Sequence, residues 1–219
     1  MHNFIFDLDG TLINSSEEVL ACLKKAFDEA DYKIDGNKLT SDVIGPPLRQ
    51  ILQTIAPELI DEDKINEIMS NFRRIYDYDE NDISVMYDGI YELLSGLKNQ
   101  GCKLFIATFK PTIPTMRLVK MFHLDELFED IYTIDKFGKK IAKEEMISDI
   151  ISSYNLEKSE TVMIGDASSD MIAAKANGIS AIGVLWGYGD NKESLKYNAD
   201  ITVKDVRELR EEWNLVKIK

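Results

Sequence analysis

The stretch that most constrains this chain is Phe4-Ile5-Phe6-Asp7-Leu8-Asp9-Gly10-Thr11-Leu12, an apolar run that ends in two carboxylates, a glycine and a threonine. A near-continuous apolar run reads as a strand buried on both faces, as in a parallel sheet. Asp7 and Asp9 stand two apart, so at the end of such a strand both can reach one crevice. Gly10 lets the chain turn tightly or lets a ligand approach the backbone. Acids at a buried strand end are costly unless a cation compensates them, and a hard divalent ion such as Mg2+ suits carboxylate and carbonyl oxygens. The plain alternative is an acidic turn, since Asp and Gly are ordinary turn formers.

Two grammars follow. Residues 14–83 read as all helical: Asn14-Ser15-Ser16-Glu17-Glu18 has the composition of a helix start, and Val19, Leu20, Leu23, Ala26 and Phe27 recur at helical spacing. A short helix is expected over 37–44, and Gly45-Pro46-Pro47 breaks it and seeds another with Leu48, Ile51, Leu52 and Ile55. Ile65, Ile68, Met69, Phe72, Ile75 and Tyr76 mark a third. From Val85 strands alternate with helices, with strands expected at 103–108, 131–134, 161–166, 180–185 and 201–203. That alternation predicts a Rossmann-like, doubly wound parallel sheet covered on both faces. The expected organisation is an α/β core of residues 1–13 and 84–219 with a helical cap of residues 14–83 inserted into it.

Open α/β sheets bind ligands beyond the carboxyl ends of their strands. Here those ends carry Asp7 and Asp9, then Thr108, then Asp166, with Asp170 four residues on, one turn away if the chain turns helical after Asp166. A helix-capping role for Asp166 or Ser168, and an N-cap role for Thr108, are the structural alternatives. His2 is terminal, and His123 is placed to end a helix in the left-handed conformation, so no Ser/His or Cys/His triad is in view.

Composition narrows the function classes. The 219 residues carry a net charge of -13 with 44% hydrophobic and 30% charged residues, an ordinary soluble globular composition. The acidic balance argues against nucleic acid or an anionic membrane as partner. Two cysteines, Cys22 and Cys102, in unrelated contexts read as core thiols rather than a disulfide or zinc framework. No apolar run approaches membrane-spanning length, and a cytoplasmic location is expected.

The motifs together resemble the haloacid dehalogenase superfamily, most of whose members are phosphotransferases. Asp-x-Asp-Gly-Thr at 7–11 resembles its first motif, Thr108 its second, and Gly165-Asp166 through Asp170 its fourth, Gly-Asp-x-x-x-Asp. The third motif is a lysine for which Lys136, Lys139, Lys140 and Lys143 compete. Lys143 is preferred because Lys-Glu-Glu-Met-Ile resembles the start of the family's helix, with Lys139 or Lys140 as fallback. Thr108-Phe109-Lys110-Pro111 resembles the Thr-x-Lys-Pro of phosphoglycolate-phosphatase-like members, although Phe109 replaces the small polar residue of many relatives. Ile44 to Arg49 resembles their cap segment, and Trp186-Gly187-Tyr188-Gly189 their loop beside the site.

The resemblance implies Asp7 as nucleophile and Asp9 as general acid and base. Gly10, Thr108, Phe109 and Lys143 would hold the phosphoryl group, and Arg49 a substrate anion. Asp7, Asp9 through its carbonyl, Asp166 and Asp170 would hold Mg2+. It further implies a C1-type cap that closes over the site, a small phosphorylated metabolite as partner, and a monomer or homodimer. The expected activity is a phosphomonoester hydrolase acting through an aspartyl-phosphate, nearest to phosphoglycolate phosphatase. A 5'-nucleotidase, pyrophosphatase, sugar-phosphate phosphatase or phosphoglucomutase-like enzyme are alternatives on the same fold. From another class, a receiver-type phosphoacceptor module also gathers acids, Thr and Lys at parallel strand ends.

Overall fold

The computed structural model describes residues 2–78, 83–189 and 192–216, the last five without their side chains. The chain forms two compact units, one of Met1–Asn14 with Met86–Lys219 and one of Ser15–Val85. The junction expected near residue 83 follows residues 79–82, which lie outside the described residues.

In the larger unit the first strand, β1 (Asn3–Phe6), is the middle of the sheet. Two-residue strands β2 (Ile13–Asn14) and β3 (Val85–Met86) stand where the chain leaves and re-enters this unit. The sheet strands that follow are β4 (Lys103–Thr108), β5 (Asp130–Thr133), β6 (Thr161–Gly165), β7 (Ser180–Val184) and β8 (Ile201–Val203). They lie in the order β5-β4-β1-β6-β7-β8, and every pairing is parallel. The order reverses at β1, so the crevice at its carboxyl end is the topological switch point where such sheets take ligands.

The smaller unit is helical, with α1 (Ser16–Glu29), α2 (Leu48–Ile55) and α3 (Glu62–Asp77). Cys22, Leu23, Ala26 and Phe27 of α1 and Ile65, Ile68 and Phe72 of α3 are its buried stripe, the consequence of apolar residues at three- and four-residue spacing. Asp61 caps α3, accepting from the backbone N–H groups of Asp63 and Lys64. The short helix expected over 37–44 is instead two separate 3₁₀ turns, Gly36–Lys38 and Ser41–Val43. Thr40 between them is extended, and neither turn buries a residue, so no apolar face pulls them into one helix.

The remaining helices flank the sheet: α4 (Ile90–Asn99), α5 (Thr112–Met121), α6 (Lys143–Ser153), α7 (Ser168–Asn177), α8 (Lys192–Asn198) and α9 (Val206–Val216). Strand alternation divides the core. Phe4 and Phe6 pack in one apolar layer with Ile90, Leu94 and Leu97 of α4 and Leu118 of α5. Ile5 points the other way, into a layer with Met146, Ile147 and Ile150 of α6 and Met171 of α7. This is the α/β doubly wound architecture the alternation of elements predicts. Both cysteines are buried, and His123 adopts the left-handed φ of 54° expected of a residue that ends a helix.

Candidate active site

Strand register delivers the site. Phe6 pairs with Ile106 on one side and Ile164 on the other, so Asp7, Thr108 and Asp166 emerge at neighbouring strand ends. The Asp7 N–H donates to the Ile164 carbonyl, which seats its side chain at the last rung of the ladder. The next turn is tight: the Leu8 carbonyl accepts from the N–H groups of Thr11, Leu12 and Ile13, and Gly10 takes φ +74°. A methyl group on Gly10 would fall 1.9 Å from Asp166 Oδ2, and one on Gly187 only 2.2 Å from the same atom. Backbone therefore closes on Asp166 from two sides.

Asp7, Asp166 and Asp170 are all buried and can each offer an oxygen within 4.8 Å of the others. The Lys143 ammonium stands among them, 2.5 Å from Asp170 Oδ1 and 3.1 Å from Asp7 Oδ1, with its side chain 2% exposed. Lys139 and Lys140 are exposed, and Lys136 pairs with Asp130 at 2.5 Å and lies 3.9 Å over the Tyr132 ring. Helix α6 begins at Lys143, so its first residue projects from the sheet's carboxyl end into the acids. Phe109, the departure from the common pattern, lies with its ring 4.8 Å from the Lys143 ammonium and is 42% exposed.

The carboxylates are held in different ways. Asp166 Oδ2 accepts from the N–H groups of Tyr188 (3.0 Å) and Gly189 (2.7 Å), which gives the Trp186–Gly189 stretch its task. Asp170 Oδ2 accepts from Ala167 N at 3.1 Å. Trp186 Nε1 donates to the Thr11 carbonyl, and its ring meets Tyr87 edge-on at 6.3 Å. Thr108 Oγ1 is buried and accepts from Lys110 N at 3.1 Å, while the N-cap of α5 is Pro111.

Burial pushes the Asp7 carboxyl up to about 7 against the pull of Lys143, with Asp170 and Asp9 pushing it further. Burial likewise raises Asp166, helped by Asp7 and Asp170. Burial works against the Lys143 ammonium, but Asp170 and Asp7 outweigh it, so its pKa rises. Burial and then the charges of Asp166 and Asp9 push the Tyr87 phenol up to about 12, which places this unanticipated ring in the field of the site. Lys143 and Lys110 supply two positive charges against the carboxylates of Asp7, Asp9, Asp166 and Asp170. With a cation bound and all four carboxyls ionised, two negative charges are left over, all on oxygen, and a hard divalent ion would balance them, so the donor set fits Mg2+.

Arg49 belongs to the helical unit, where its guanidinium pairs with Glu62. Lys110, which the sequence offered only as part of the Thr-x-Lys-Pro match, also stands at the site. Its ammonium sits 3.0 Å from Asp9 Oδ1 and 3.1 Å from Oδ2.

Comparison with known proteins decides the family: the model of the haloacid dehalogenase-like hydrolases matches residues 4–184. The chain is a haloacid dehalogenase-like hydrolase. It is similar to a 5'-nucleotidase of Pseudomonas aeruginosa, 33% identical over 95% of this chain and 94% of that protein. It is also similar to the pyrophosphatase PpaX of Halalkalibacterium halodurans, 27% identical over 95% of each. Among solved structures, a predicted phosphatase from Clostridium acetobutylicum superposes with a TM-score of 0.82 at 31% identity, covering 97% of this chain and 98% of that one. This haloacid dehalogenase-like hydrolase is a phosphatase, which sets aside the receiver-type alternative. No helix among the described residues is long and apolar enough to cross a membrane.

One expectation of this geometry concerns Gly10. Gly10→Ala places a side chain at a left-handed φ, at a cost of about 1–2 kcal/mol. It also drives Asp166 aside, and a displacement on the order of 1 Å at a reacting centre lowers kcat by up to about 10²-fold. Gly96→Ala is the control, because a Cβ there meets nothing within 4 Å. Thermal melts and phosphatase assays on both check it: a Gly10→Ala protein as active as Gly96→Ala contradicts the packing argument.

Proposed function

We propose that the chain is a Mg2+-dependent phosphomonoester hydrolase that works through an aspartyl-phosphate on Asp7. The observation that carries the reading is Asp7 itself. It is buried at the end of the central strand, with Lys143 at 3.1 Å on one side and the oxygens of Asp166 and Asp170 in reach. Asp7, Asp166 and Asp170, with the carbonyl of Asp9, would hold the ion, which when bound draws negative charge off the phosphoryl oxygens.

In this reading an Asp7 oxygen attacks phosphorus. The bond from phosphorus to the leaving oxygen breaks, its electron pair stays with that oxygen, and Asp9 supplies the proton that makes it an alcohol. Asp9, now a carboxylate, then takes a proton from water as that water's oxygen bonds to phosphorus. The Asp7–phosphorus bond breaks, and inorganic phosphate leaves with Asp7 restored. Lys143 offsets the charge that builds up beside Asp7, and Thr108 with the N–H groups after it orients the phosphoryl oxygens.

The substrate in this reading is a small phosphorylated metabolite. The Ile44–Arg49 and Trp186–Gly189 resemblances favour phosphoglycolate, and the identity with a 5'-nucleotidase favours a nucleoside 5'-monophosphate as the second choice. Phosphate release from a panel holding both, sugar phosphates and pyrophosphate, with Mg2+ or with EDTA, tests the reading. Turnover of at least one phosphomonoester that EDTA abolishes and Mg2+ restores is expected. Turnover indifferent to EDTA would refute the dependence on a divalent ion.

A further inference from the structure

Lys110 has no part in the steps above, yet its side chain is 3% exposed and its ammonium straddles both oxygens of Asp9. Burying a lysine sacrifices up to about 2 kcal/mol of side-chain freedom, and the ammonium needs a compensating anion. The fold anchors both ends of this contact. Lys110 N donates to Thr108 Oγ1, and Pro111 fixes the next φ at -63°, so the lysine leaves from a rigid turn. Asp9 leaves from the turn in which Leu8 and Ile13 carbonyls accept four backbone hydrogen bonds. An ammonium held from the neighbouring strand end that touches both oxygens limits how that carboxylate can turn.

We propose that Lys110 is a positioning residue that aims the Asp9 carboxyl at the leaving oxygen of the substrate. The proposal rests on the reading of Asp9 as acid and base. It assigns a task to the lysine of the Thr-x-Lys-Pro stretch that charge alone does not give. An acid matters most when the leaving oxygen is a poor one, as in an alkyl phosphate, and least for a nitrophenolate, which departs without a proton. A misaimed Asp9 therefore harms the first class of substrate and spares the second.

The test compares kcat/KM for glycerol 2-phosphate and 4-nitrophenyl phosphate in the Mg2+-loaded full chain, for the parent, Lys110→Met, Lys110→Gln, Lys110→Arg and Asp9→Asn. General acid catalysis contributes about 10²–10⁴-fold, so loss of aim in Lys110→Met is expected to lower the alkyl value by about thirtyfold or more and the aryl value by less than about threefold. Lys110→Arg, which keeps a cation at that place, is expected to recover part of the alkyl loss. Equal losses on both substrates in Lys110→Met and Lys110→Gln overturn the proposal, as does failure of both to fold, since each marks the lysine as structural. Equal losses in Asp9→Asn overturn the acid reading itself. A split in Asp9→Asn without one in the Lys110 variants overturns the positioning claim alone.

Discussion

Asp7→Asn is expected to lower kcat by at least about 10⁴-fold on every phosphomonoester, because an amide neither attacks phosphorus nor leaves as a carboxylate. The fold is expected to survive. Asp7 ends a strand whose backbone bonds remain, and Asn is nearly isosteric. The pH dependence of stability should change in a stated direction. Burial raises the Asp7 carboxyl to about 7 in the metal-free protein, above its usual value of 3.8. A carboxyl raised in the folded state favours folding below its unfolded pKa, and that contribution is lost as pH climbs to about 7. Asn does not titrate. In EDTA, melting temperatures between pH 4 and 8 should therefore show the parent losing ground to Asp7→Asn as pH rises. A constant gap would contradict a raised Asp7 carboxyl.

Lys143→Met is expected to have the second-largest effect, on stability and catalysis together. The lysine lies between Asp7 and Asp170, and its removal leaves three buried acids without their ammonium. Breaking a buried ion pair by deleting one partner costs about 3–5 kcal/mol. Its loss beside the phosphoryl group should lower kcat by about 10²–10³-fold, the scale measured for single electrostatic groups aimed at developing charge. Mg2+ should recover part of the stability, since it balances the same carboxylates, and little of the activity. Lys139→Met and Lys140→Met, at exposed positions, should stay within about 0.5 kcal/mol of the parent. Denaturant melts with and without Mg2+, alongside phosphate release, check all three.

The sequence revealed what local chemistry dictates. Apolar runs of four to six residues gave the strands that carry Asp7, Thr108 and Asp166. The helical turn expected between Asp166 and Asp170 is not what joins them: Ala167 is extended at φ -114° and ψ 148°, α7 begins only at Ser168, and Asp170 reaches back to accept from the Ala167 N–H. Lys143 is preferred over its neighbours through resemblance to the family's helix start, not through its local chemistry, and the structure places its ammonium against Asp7 and Asp170. Helix α8 was missed because it is seven residues long and buries only Leu195, too little to produce a periodic stripe. The 37–44 segment misled because its polar residues form separate turns that no core face gathers.

What remained hidden is tertiary. Lys110 meets Asp9 across 101 positions of chain, and the N–H groups of Tyr188 and Gly189 reach Asp166 from more than twenty residues away. No spacing rule links such residues in a single sequence. Tyr87, an ordinary aromatic in the sequence, packs edge-on against Trp186 and lies in the field of Asp166 and Asp9. Phe109 looked like a mere loss of polarity, and its ring turns out to face the Lys143 ammonium.

The central claim is a covalent phosphoryl group on Asp7. The most direct measurement is acid quenching of the Mg2+-loaded protein within milliseconds of mixing with a substrate it turns over, followed by peptide mass spectrometry. The account predicts phosphate on the peptide that contains Asp7, formed and lost at rates that match turnover, and absent in Asp7→Asn. Turnover at full rate with no phosphopeptide, or with phosphate on any other residue, would contradict it.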